Sequence, residues 1–230
     1  MSNLRALSPL EIRVLGVLSE KQRTVPDSYP LTLNSLVSGC NQKTSRHPII
    51  EISDAEAQAT LDSLKALSLV TETSGGRVFR YGHNLDGVLK IPSQSIVLLA
   101  VLMLRGPQTP GELRIASERM HSFADISSVE AFLEELANRA AGALVRKLPR
   151  LPSARESRWT HLLVGEPAGG ETAGLTDAGA EDLSLGEIAA LKAHVARIEA
   201  ELVVVKTLLG RVCSELGING REGPPRGASQ

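Results

Sequence analysis

With 230 residues, 42% of them hydrophobic but only 3% aromatic, the chain can build one large or two small cores of Leu, Ile, Val and Ala. A net charge of −1 gives no general pull toward nucleic acid. The longest apolar run, Ile96–Leu104, is far short of the roughly 20 residues of a membrane span, so no membrane partner is expected.

The first helix opens with Ser8 as cap, Pro9 at its first position and Glu11 three residues after the cap. Ile12, Leu15 and Leu18 recur at helical spacing. Val25–Pro30 holds two prolines and reads as extended. A second helix is expected over 32–40, followed by the polar loop Asn41–Pro48. Ser53 and Glu56 form another capping box, and Ala57, Leu61 and Leu64 give the third helix an apolar face reaching toward Leu69 and Val70. Thr71–Thr73 and Arg77–Tyr81 then flank Ser74-Gly75-Gly76, a hairpin signature.

The order repeats. Pro92–Leu104 is an apolar helix ending at Gly106-Pro107. Thr109-Pro110-Gly111-Glu112 opens a helix to Met120, and Ser127 with Glu130 reads as the cap of the next, with Val129, Leu133 and Leu136 inward. Leu144–Leu148 and Ser157–Leu163 read as strands around the loop Pro149–Glu156. The expected fold class is therefore mainly α with small β wings (α+β): tandem winged-helix domains over 1–88 and 89–165. A Gly- and Ala-rich flexible linker follows over 166–184, then a coiled-coil helix over 185–216 and a disordered tail over 217–230.

Charge divides along these lines. Residues 1–165 carry 19 Lys and Arg against 16 Asp and Glu, net +3, whereas 166–216 carry 4 against 9, net −5. In the tail, Ile188, Leu191, Val195, Ile198, Leu202, Val205, Leu209, Val212 and Leu216 alternate spacings of three and four. That pattern keeps one seam toward a partner helix and predicts a parallel homodimer, with Glu187 and Glu201 placed against Lys192 and Lys206 of the other copy. A single amphipathic helix folded back on the body is the alternative.

Several strings resemble the YceH family of bacterial proteins. They are Pro26-Asp27-x-Tyr29-Pro30-Leu31-x-x-Asn34; Cys40-Asn41-Gln42-Lys43 with Arg46 and Pro48; Leu104-Arg105-Gly106-x-Gln108-Thr109-Pro110-Gly111-Glu112-Leu113-Arg114; and Arg155-Glu156-Ser157-Arg158. The resemblance covers about residues 7–165 and implies tandem winged helices with a C-terminal coiled coil in a cytosolic protein. It carries no enzymatic activity with it. His47 and Thr44-Ser45 depart from the family's expected loop.

No phosphate loop, nucleotide-binding glycine fingerprint or nucleophile elbow is present. None of the five histidines has a second ligand at i+3 or i+4. Cys40 and Cys213 lie far apart and read as reduced thiols in a cytoplasmic protein. No enzyme, metal or cofactor is expected. Asp27 beside Tyr29 reads as a backbone-bonding Asp rather than an acid–base pair. The fold suggests duplex DNA as partner, held by Lys43, Arg46, Arg77, Arg80, Arg146, Lys147, Arg150, Arg155 and Arg158. Acids at the starts of both third helices, Asp54, Glu56 and Glu130, count against base readout. They leave another protein as the competing partner. Asn41 and Gln42 could read base edges or tie the loop to the body.

Overall fold

The computed structural model describes residues 5–74, 78–150 and 156–165, together with Thr207. The chain is α+β, as expected. Helix α1 (Pro9–Thr24) starts at Ser8, whose hydroxyl accepts from the Glu11 N–H while the Glu11 carboxylate accepts from the Ser8 N–H. Val25–Pro30 is not simply extended: Pro26–Ser28 form one 3-10 turn, because proline fixes the backbone torsion that such a turn begins with. Strand β1 (Leu31–Thr32) follows, and Thr32 at once caps α2 (Leu33–Cys40). Helix α3 (Asp54–Ala66) has the expected Ser53–Glu56 box. It stops before Leu69 because Ser68 takes a left-handed turn, φ 59°, leading into β2 (Val70–Ser74). Strand β3 (Phe79–His83) pairs antiparallel with both β2 and β1, giving the order β1-β3-β2.

A short helix, α4 (Leu85–Leu89), leads into α5 (Ser93–Arg105). Helix α6 (Pro110–Ser117) carries the Thr109–Glu112 box, but ends three residues short of Met120, where the Ser117 carbonyl accepts from Met120 and His121. Helix α7 (Ile126–Ala137) corrects the expected cap. Asp125, in extended backbone, accepts from the Ser128 N–H at 2.7 Å, so Ser127 already lies inside the helix. Strands β4 (Val145–Lys147) and β5 (Trp159–His161) form a second antiparallel pair.

The two halves repeat in register. Leu31 faces Tyr81 on β3 just before Thr32 caps α2; Gln108 exchanges backbone hydrogen bonds with Trp159 on β5 just before Thr109 caps α6. Val70 pairs with His83, and Val145 with His161. Arg80-Tyr81-Gly82-His83 thus corresponds to Arg158-Trp159-Thr160-His161.

Both halves share one core of Leu, Ile and Val, so the expected boundary at 88–89 does not separate two cores. Helix α5 is buried on every side from Ser95 to Leu104, as a helix apolar all round must be. It packs closely on α1 at Gly16, where an added Cβ would lie 2.9 Å from the Leu104 side chain. Among the described residues no helix is long and apolar enough to cross a membrane. In the unit spanning Gly170–Gln230, Thr207 is the described residue, and it is helical and exposed.

Candidate nucleic-acid interface

Two arginines build the loop between α2 and α3 from below. Arg13, only 3% exposed on α1, donates to the carbonyls of Cys40 and Pro48. Arg46, 6% exposed, donates to both carboxylate oxygens of Glu20, to the Gln42 side chain and to the Gly39 and Ser45 carbonyls. Arg46 was expected to face phosphate. It points inward instead, because Glu20 on α1 offers a partly buried carboxylate that a solvent-facing arginine would forgo. Asn41 spends its whole amide on Ile52, donating to the carbonyl at 2.9 Å and accepting from the N–H at 2.9 Å. Asn41 and Gln42 therefore tie the loop to the body. Lys43 stays exposed beside them.

The loop also meets the second half. The His47 N–H donates to the Leu104 carbonyl at 2.7 Å, and Arg105 donates to the Ser45 hydroxyl at 2.9 Å. Two of the strings behind the family resemblance are thus adjacent in space.

On the first hairpin, Arg80 is exposed, but its guanidinium donates to the Ser28 and Pro30 carbonyls. Arg77 lies outside the described residues. The outer face of α3 shows Asp54, Glu56 and Asp62. Lys65 on the same helix is bridged between Asp62 at 2.9 Å and Glu72 at 2.6 Å.

The second hairpin is different. Lys147 and Arg150 are exposed, and Arg146 and Arg158 are half-buried. The Lys147 ammonium sits 5.6 Å from the ring centroid of the buried Trp159, which fixes its position at the sheet. Glu156 is the one carboxylate among the described residues from 145 to 165. Arg155 lies outside the described residues. Beside this hairpin, α7 exposes Glu130, Glu134 and Glu135.

Burial shifts four titratable groups. Burial pushes the Tyr29 hydroxyl up to about 12, and its oxygen accepts from the His83 N–H. Burial likewise pushes the Cys40 thiol up to about 12, which suppresses the nucleophilic thiolate. His83 and His161 are both driven down to about 4 by burial. Asp27 is exposed and makes no side-chain hydrogen bond among the described residues, so the backbone bond expected of it is not formed. Among the described residues no group of three or more His, Cys, Asp or Glu could hold a metal. Sequence reasoning missed Arg13 and the Trp159–Lys147 pair. The repeated Arg-aromatic-x-His string was the signal that could have placed Trp159. The seam residues from Ile188 to Leu216 all lie outside the described residues.

Comparison with known proteins sets this arrangement in a family. The family described as "Protein of unknown function, DUF480" matches residues 7–154. A UPF0502 protein of Burkholderia multivorans is 58% identical over 94% of this chain and 92% of its own length. Another, of Dechloromonas aromatica, is 57% identical over 88% of this chain and 94% of its own. A third, of Burkholderia ambifaria, is 55% identical over 94% and 92%. The family match starts just before the cap of α1 and runs past β4, and the relatives match over most of the chain, so the chain belongs to the DUF480 family of bacterial UPF0502 proteins.

Proposed function

We propose that residues 7–165 are two winged helices in tandem, and that the protein works in the cytoplasm by binding rather than catalysis. It holds duplex DNA by its phosphates, in a transcription-related role, and is a homodimer through residues 185–216. The observation that carries this reading is the second hairpin. Arg146, Lys147, Arg150 and Arg158 lie along it, with Glu156 in the hairpin itself and Glu134 of α7 beside Arg146 and Lys147, and phosphate contacts from such side chains position a protein on DNA without reading sequence. Base readout is not part of the proposal, because α3 and α7 expose carboxylates where Arg, Asn or Gln would be needed.

Fluorescence polarisation with a random duplex, titrated across salt, tests it. Binding should be weak and steeply salt-dependent. Replacing Arg150, Arg155 and Arg158 with Ala should weaken it and flatten the slope by about one unit per lost phosphate contact. Equal binding by wild type and triple variant would move the site elsewhere.

The acidic faces favour a second reading, a docking protein whose third helices meet a basic partner. Absence of duplex binding at low salt, with nuclease-insensitive capture of a protein from lysate, would select it.

A further inference from the structure

A cavity of about 430 Å³ opens where the two halves meet. Lys90, just after α4, and Arg139, just after α7, line it, together with Arg5. Leu89, Leu144 and Leu163 supply apolar wall, and among the described residues no Asp or Glu lines it.

The three cations are not equivalent. Arg5 is bidentate on Glu11, so its charge is met. Arg139 donates to the carbonyls of Leu89 and Gly142, which hold the guanidinium in place without neutralising it. Lys90 is exposed, and its ammonium, unlike its backbone N–H, which donates to the Asp86 carbonyl, has no hydrogen bond or ion pair among the described residues. Asp86, one turn earlier, acts electrostatically on Arg23, Tyr29 and His83.

The backbone at Lys90 adds a second, independent observation. It ends α4 in the left-handed conformation, φ 51° and ψ 52°. Glycine or asparagine is the usual residue there, and a lysine is strained. A cation is thus kept at the cavity mouth against local preference, a pattern that marks functional sites.

We propose that this cavity binds a small organic anion, a phosphate monoester or carboxylate on a compact apolar body. Its charge lies between Lys90 and Arg139, and its body lies against Leu89, Leu144 and Leu163. The ligand touches both halves at once. The proposal is independent of the nucleic-acid reading, since none of the hairpin cations lines this cavity.

Calorimetric titration of the full chain with phenyl phosphate, benzoate and neutral benzyl alcohol tests it. At least one anion should bind saturably at one site per chain, and benzyl alcohol should not. Whichever anion binds names the charged group. Lys90→Gly should weaken that binding by about tenfold or more, while leaving Tm unchanged or raised, because glycine suits the backbone there. Lys90→Arg should retain binding. The inference is overturned if neither anion binds at millimolar concentration, if benzyl alcohol binds as well, or if Lys90→Gly binds like the wild type.

Discussion

Arg46 holds both carboxylate oxygens of Glu20, at 2.8 and 3.1 Å, from a side chain with no solvent exposure. Burial works most strongly, to raise the Glu20 pKa, but the hydrogen bonds and charge of Arg46, joined by those of Lys21, together outweigh it and leave the carboxyl below its ordinary value. Removing one partner of a buried pair leaves the other charge stranded. Arg46→Ala should therefore lower stability by about 3–5 kcal/mol in urea denaturation. It should not change the salt slope of duplex binding by the folded fraction, whereas loss of a phosphate contact would flatten that slope.

His83 and His161 predict acid sensitivity. Both sit near 4 in the fold through burial, against about 6.5 when unfolded. The unfolded chain therefore binds more protons between those values. Their contribution is fully present above about pH 6.5 and is lost as pH falls toward 4, by up to about 3 kcal/mol for each histidine. Calorimetry from pH 7 to 4 should show the decline. His83→Gln and His161→Gln should each make it shallower, and an unchanged slope in both variants would place the effect on other groups.

Gly16 lets α1 lie close against Met103 and Leu104 of α5. Gly16→Val should push on Leu104 and cost about 1–3 kcal/mol or more by overpacking. Gly39→Ala provides a comparison: its added Cβ would lie 2.7 Å from the Val17 side chain, at the α1–α2 contact within the first half. Thermal denaturation of both variants measures the two contacts separately.

The proposed stalk predicts an oligomeric change. Truncation after Asp182 should give a folded monomer, and Leu202→Asp should do nearly the same by placing a charge in the seam. Sedimentation equilibrium at tens of micromolar decides the matter, since a monomeric full-length chain would remove the dimer.

Legibility in the sequence followed the range of the interaction. The Ser8–Glu11, Ser53–Glu56 and Thr109–Glu112 boxes lie within four residues and were readable as they stand. The α7 start was read two residues late, at Ser127, because it is the extended backbone of Asp125 that marks the cap, and backbone conformation is not written in the sequence. Arg46 was misread because its partner Glu20 is 26 residues away. A cation in a polar loop looks solvated until the fold brings a carboxylate beneath it. The two-residue strand β1 is too short for any periodicity to show. The cations of the second hairpin were legible as a cluster, but not the ring that seats Lys147.

Helix α5 has one more consequence. It belongs by sequence order to the second half, yet it packs on α1 of the first and is buried on all sides. Neither half can lose its structure without stripping cover from the other. Residues 5–165 should therefore melt in a single cooperative transition, with calorimetric and van't Hoff enthalpies in agreement, despite a repeat that reads along the chain as two separate bodies. A fragment ending at Leu89 would leave the α5-facing side of α1 bare to water, and would self-associate rather than stand alone.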